Sequence, residues 1–260
     1  MKRIVAIGGG ENGRMRSNGE RLPWETEPMD REIIRLTGKE NPNFLLIAHS
    51  QPPENQEGYY NVMKDIYSPL GCECGWLSSN DLMNEEQVNR LLEWADIIYE
   101  GGGDTLTMIG LWKDSGFDVK LRKAWEEGKI MCGVSAGANC WFSVCNSDSL
   151  KIQSGDDQPM IGVECLGFID AYFVPHCDEE GRHESRVEQL KELGKVGLMM
   201  SNCAALEIVD DQYRVITSDA SFHGIEAYAL KGWWTEDGYV EKEIPIDGQF
   251  RFLSELLEKK

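Results

Sequence analysis

The chain has 260 residues and a net charge of −19, from 45 acidic against 26 basic side chains. Such a surface repels phosphate backbones and anionic lipid, so nucleic acid and membrane are poor partners, and no apolar run reaches the ~18 residues a bilayer span needs. With 41% hydrophobic and 27% charged residues the composition excludes a disordered chain and suffices for one sizeable core.

The N-terminus places Lys2 and Arg3 before a short apolar stretch that runs into Gly8-Gly9-Gly10. That stretch is shorter than the ~7–15 residues of a signal-peptide core, so 2–7 reads as the first strand and the chain as cytoplasmic. Helix and strand patterns then alternate. Helices are expected over 29–39, 57–69, 84–94, 105–112 and 119–127, and strands over 44–49, 73–77 and 96–99. Alternation of this kind implies an α/β fold with a parallel sheet and helices on both faces, and ligands in such sheets bind beyond the carboxyl ends of the strands. The last 95 or so residues change character. An extended run over 167–175 and a charged helix over 179–193 are followed by short strands over 198–201, 205–209, 213–218 and 225–231. A helix over 250–258 closes the chain. No linker is apparent. The expectation is one domain, 1–260, with a β-rich C-terminal part and about 233–260 as an extension packed on it.

Three strands end in glycine-rich turns. Gly8-Gly9-Gly10-Glu11-Asn12-Gly13 has the G-x-G-x-x-G form, but the second strand ends in Ala48-His49-Ser50, without the acid that would hold a ribose. A glycine turn opening a substrate cleft is the better reading. Gly101-Gly102-Gly103-Asp104-Thr105 joins a strand to a helix that Asp104 or Thr105 can cap, and its bare N–H groups suit an oxyanion. Gly133-Val134-Ser135-Ala136-Gly137 is a G-x-S-x-G pentapeptide between an apolar strand and a segment able to start a helix at Ala136. There a serine is held strained and exposed, and the next N–H, from Ala136, points where an oxyanion forms. The alternative is an ordinary tight turn.

A nucleophilic serine needs a base. His49 ends a strand, His183 lies on the charged helix and His223 in a turn. His176 follows the apolar run Ala171–Pro175 to the top edge of the sheet and is the best candidate. The eight cysteines include no C-x-x-C pair, and Cys72-Glu73-Cys74 has no partner at zinc spacing. Free thiols are expected, with no metal and no cofactor.

Taken together, Gly101–Thr105, the run Gly133-Val134-Ser135-Ala136-Gly137-Ala138-Asn139, Asp157-Gln158-Pro159-Met160 and Val174-Pro175-His176 resemble the peptidase E family over roughly residues 2–232. These are serine peptidases that include aspartyl dipeptidases and cyanophycinases. The resemblance implies a flavodoxin-like three-layer α/β/α sandwich, related to class I glutamine amidotransferases, acting on a short peptide or related amide. It leaves room for a homodimer. It matches Ser135 to the nucleophile, His176 to the base, Gly102, Gly103 and Ala136 to the oxyanion hole, and Asp157 to an acid near the site. Asp104 and Thr105, with Arg182 and His183, fall in the substrate-binding region. Two positions depart from the family pattern. Asn202 stands where a Glu or Asp would orient the histidine, so Asn202, Asp157 or Asp178 must serve. His183 stands where an arginine reads aspartate, with Arg182 and Arg186 beside it, which counts against an aspartyl preference. The expected activity is a dipeptidase-like serine hydrolase. Its competitors are a non-catalytic or weakly active binding protein, motivated by Asn202, and a thiol enzyme using Cys203 or Cys132.

Overall fold

The computed structural model describes residues 1–219 and 226–260. His223 and the beginning of the strand expected over 225–231 lie outside them. The first half of the chain alternates strand and helix: β1 (Arg3–Ile7), α1 (Glu27–Thr37), β2 (Asn43–Leu46), α2 (Pro53–Tyr67), β3 (Glu73–Trp76), α3 (Glu85–Trp94), β4 (Ile97–Glu100), α4 (Thr105–Ser115), α5 (Phe117–Glu126) and β5 (Ile130–Val134). The five strands are parallel, in the order β1-β5-β4-β2-β3. Their apolar runs follow from burial on both faces. Val5 and Ile7 pack with Met29, Ile33, Met63 and Ile66 of α1 and α2. Ile4 and Ala6, pointing the other way, share a cluster with Val88, Leu92, Met108 and Leu121 of α3, α4 and α5. This is the flavodoxin-like α/β/α layering expected from the sequence.

Beyond β5 come α6 (Ala136–Asn139), β6 (Phe142–Ser147), α7 (Ser149–Ser154), β7 (Ile161–Glu164), β8 (Ile169–Val174), α8 (Arg182–Leu193), β9 (Gly197–Met200), β10 (Ala204–Val209), β11 (Gln212–Thr217), β12 (Ala229–Thr235), β13 (Gly238–Glu243), β14 (Arg251–Phe252) and α9 (Leu253–Leu257). Strands β10, β11 and β14 continue the first sheet past β1, each antiparallel to its neighbour. The others form a second sheet, β13-β12-β9-β8-β6-β7. Its inner face sends Phe142, Phe173, Leu198 and Met200 into the cluster that holds Ile4. Its outer face packs Val144, Tyr172, Val174 and Met199 with Leu190 of α8.

The sequence reading foresaw a β-rich tail but not this second sheet. Strand β6 escaped notice because it follows a helix start with no turn residue between. The helix stops after one turn because Phe142–Ser147 pairs with β8 and β7 instead. The charged helix was expected from 179 but begins at Arg182, after Gly181 at φ 80° and His176 at φ 48°. Residues 176–181 are a turn around the histidine. The closing helix divides into β14 and α9, since Gln212 and Tyr213 of β11 pair with Phe252 and Arg251. No described helix is long and apolar enough to cross a membrane.

Candidate active site

Ser135 sits between β5 and α6 at φ 56°, ψ −114°. A non-glycine residue there is strained by about 1–3 kcal/mol and persists only when its surroundings fix it. They do. The Ser135 N–H donates to the Ile7 carbonyl at 3.0 Å, and its carbonyl accepts from Ala138 and Asn139 at 3.0 and 2.9 Å. The flanking glycines are sterically required, because a Cβ on Gly133 or Gly137 would run into the main chain of Glu100 at the end of β4. The peptide N–H of Ala136 opens the helix and so has no acceptor within it.

His176 is fastened to the neighbouring residue of the same strand end: its N–H donates to the Gly8 carbonyl at 3.2 Å. Ser135 on Ile7 and His176 on Gly8 are thereby brought to one edge of the first sheet. Gly9 completes the seat, since a Cβ there would overlap both the imidazole and the Asn202 amide. The first glycine turn thus lets the main chain lie directly against the imidazole and the Asn202 amide.

The Nδ1–H of His176 donates to Asn202 Oδ1 at 2.8 Å, and Glu179 Oε1 lies 3.2 Å from the same nitrogen. The Asn202 amide cannot be turned over. Its Nδ2 donates to Asp178 Oδ2 at 3.1 Å and Glu179 Oε1 at 3.3 Å, while its backbone N–H donates to Asp178 Oδ1 at 2.7 Å. Only an NH₂ group satisfies those carboxylates, so Oδ1 faces the imidazole. With two acceptors on Nδ1, the neutral ring carries its proton there and leaves Nε2 bare. The hydrogen bond from His176 holds the Glu179 carboxyl well below the usual range, at about 2. Glu179 was not foreseen. The available signal was its place three residues after the histidine in an acidic run.

The glycine loop after β4 lies against the serine: a Cβ on Gly102 would come 3.5 Å from Ser135 Cβ. The Gly102 carbonyl accepts from Ser50 Oγ at 3.0 Å and Gln51 Nε2 at 2.6 Å. In a trans peptide the following N–H points the opposite way, so that of Gly103 is turned from Ser50 and Gln51. The Gly102 N–H is differently engaged, donating to the half-buried Tyr59 hydroxyl at 3.3 Å. Beneath the loop, the fully buried Glu100 accepts from the N–H groups of His49, Ser50 and Gly101, each at 3.1 Å. Burial nevertheless pushes its carboxyl up to about 8.

The remaining expected residues are elsewhere or occupied. Asp104 is the N-cap of α4, accepting from Thr107 N–H at 3.1 Å, Thr107 Oγ1 at 2.6 Å and Gln153 Nε2 at 2.8 Å. Thr105 Oγ1 accepts from Asn139 Nδ2 at 3.2 Å and ties α4 to the elbow helix. Asp157 is fully exposed, 3.9 Å from Lys151, and is not brought into the Ser135–His176 cluster. Arg182 is buried and donates to Asn146 Oδ1 at 2.9 Å, with Asp148 at 3.4 Å. His183 points to solvent. Cys132 and Cys203 are buried, and burial raises both thiols, that of Cys203 to about 11. That disfavours a thiolate nucleophile.

A model of peptidase family S51 matches residues 4–216. The uncharacterized peptidase YgaJ of Bacillus subtilis (strain 168) is 30% identical over 248 residues, covering 95% of this chain and 98% of that protein. Among solved structures, a peptidase from an acI-B1 Actinobacterium superposes with a TM-score of 0.68 at 18% identity, covering 97% of each chain. A protein provisionally designated peptidase E from Listeria monocytogenes EGD-e gives 0.60 at 18%, covering 84% of this chain and 98% of its own. The structural likenesses bear on the fold; the family match and the Bacillus relative reach further, and the chain belongs to peptidase family S51.

Proposed function

We propose that this peptidase hydrolyses short peptides through an acyl-enzyme on Ser135, with His176 as the base. The observation that carries the reading is the backbone of Ser135, held at φ 56° and ψ −114° on the same strand end that holds His176. Nε2 of His176 takes the proton of Ser135 Oγ as the oxygen bonds to the scissile carbonyl carbon. The N–H groups of Gly103 and Ala136 receive the oxyanion. The imidazolium then gives its proton to the leaving amine and the C–N bond breaks. Water, deprotonated by the same nitrogen, releases the acyl group. Asn202 fixes the ring and its tautomer. The Glu179 carboxylate, 3.2 Å from Nδ1, supplies the negative charge that an amide lacks and favours catalysis over a purely binding role.

Ser135→Ala is expected to lower kcat/KM on a dipeptide panel by at least about a thousandfold, with the fold intact. Equal turnover by wild type and variant would sink the mechanism.

A further inference from the structure

The loop Gly101-Gly102-Gly103 has no side chain to fix its own shape. Glycine turns either way about φ at little cost, and Gly103 stands at φ 149°, which residues with a side chain rarely adopt. The direction of the peptide between Gly102 and Gly103 is therefore set from outside the loop. That direction matters to the proposed mechanism, on which this inference rests, because the Gly103 N–H is one of its two oxyanion donors. The loop lies against the nucleophile: a Cβ on Gly102 would stand 3.5 Å from Ser135 Cβ and 4.0 Å from its Oγ. A half-turn of this one peptide would present a carbonyl in place of the N–H and oppose a developing oxyanion.

Two side chains hold the Gly102 carbonyl. Ser50 Oγ lies 3.0 Å from it and 3.1 Å from the Gly101 carbonyl, and its one hydrogen cannot serve both fully. Gln51 Nε2 donates to the Gly102 carbonyl at 2.6 Å and has no other acceptor among the described residues. Gln51 is thus the undivided donor. Its amide also lies flat against the loop, since a Cβ on Gly103 would come 2.9 Å from Gln51 Nε2 and 2.3 Å from the Ser50 carbonyl oxygen. Glycine at 103 makes room for the amide as well as for the backbone conformation.

The turn that carries Gln51 is itself fixed from behind. The Gln51 N–H donates to the Ala48 carbonyl at 3.2 Å, and the Gln51 carbonyl accepts from Gln56 Nε2 at 3.0 Å. Gln56, on α2 and 1% exposed, also donates to Ser79 Oγ at 2.8 Å and accepts from the Ser79 N–H at 2.9 Å, beyond β3. The Ser50 N–H is taken by the buried Glu100 at the end of β4. Three strand ends therefore set where the Gln51 amide stands, and the amide sets the direction of a peptide that glycine leaves free.

We infer that Gln51 is a positioning residue of the hydrolysis: it holds the Gly102 carbonyl and so keeps the Gly103 N–H directed at the oxyanion. Gln51→Met keeps the length of the side chain and removes its N–H groups. On the full chain and its best dipeptide substrate, kcat should fall at least about tenfold with KM changed by less than about twofold, because the donor being aligned acts on the transition state. Binding separates this from a general disturbance of the cleft. One probe is the amino aldehyde of the substrate's N-terminal residue, which adds reversibly to Ser135 Oγ and sets its oxygen in the oxyanion site. The other is the same dipeptide with its amide reduced to a methylene-amine, which has no such oxygen. Gln51→Met should bind the aldehyde at least about tenfold more weakly and the reduced dipeptide within about twofold of wild type. A dissociation constant does not depend on the fraction of active protein, so partial unfolding cannot imitate this split. With Ser135→Ala inactive, an unchanged kcat and aldehyde affinity, or equal weakening of both probes, overturns the inference alone. Full turnover by Ser135→Ala overturns the mechanism and this inference with it.

Discussion

Asn202 illustrates how a residue can depart from a sequence pattern and still have every polar group of its side chain bonded in place. An acid expected beside the histidine is replaced by an amide, which cannot stabilise an imidazolium by charge. The structure surrounds that amide with Asp178 and Glu179, and its NH₂ group bonds both. An aspartate at 202 would crowd three carboxylates together, and like charges at that distance oppose ionisation. Asn202→Asp is therefore expected to lower kcat at pH 7 by about tenfold or more instead of raising it. Glu179→Gln should also lower kcat while leaving KM nearly unchanged. Steady-state kinetics on the two variants decide this, and a faster Asn202→Asp enzyme would refute the charge argument.

Between elements, the close approach of β4, β5 and α6 builds the elbow. Glu100 pairs in register with Gly133, and Gly137 packs over the same carbonyl. A methyl group at Gly137 would meet backbone, which cannot swing aside as a flexible side chain could. Gly137→Ala is expected to destabilise the protein by about 1–3 kcal/mol, read from the denaturation midpoint. An unchanged midpoint would mean that the three elements are not held as tightly as their contacts imply. Much of this was legible beforehand. The tight turn at Ser135, its flanking glycines, the strand before and the helix after were legible, because glycine spacing reports local backbone geometry. The length of the helix was not, since its stop is dictated by pairing of β6 with β8 and β7.

At the level of the whole molecule, the buried His49 and Glu100 and the half-exposed Glu179 limit the pH range from both sides. His49 is held neutral by burial, its value lowered from 6.5 to about 4. Its contribution to stability is full above 6.5 and is lost as pH falls through about 4. Glu179, lowered from 4.5 to about 2, acts in the same direction, its contribution being lost as pH falls below 4.5 toward about 2. Glu100 acts the opposite way. Burial raises it from 4.5 to about 8, so the folded chain holds a proton that the unfolded chain releases, and stability declines as pH rises across that interval. Asp30, raised by burial from 3.8 to about 6, adds to the decline that Glu100 causes, so the expected Tm profile is highest near pH 4.5 and falls toward pH 8. Glu100→Gln should flatten the alkaline limb. A profile still rising above pH 8 in the wild-type protein would contradict the assignment.

By itself the sequence determined the alternating α/β layering and the strand–turn–helix around Ser135, since each is written in local periodicity or in short glycine-marked turns, and it supplied the oxyanion loop and His176 that the proposed mechanism uses. It also pointed to the peptidase E family, within which membership of family S51 now falls. The tertiary structure decided the rest. The second sheet depends on pairings between segments distant along the chain. The partners of His176 depend on a turn at 176–181 meeting a loop at 202, across contacts that no spacing rule encodes. Arg182 lies near the right place in sequence and is turned inward, while Glu179, unremarked in an acidic run, is brought to the imidazole. Which of many similar charges reaches a given atom is fixed by backbone direction at a few turns, and that direction is set only when the sheets pack.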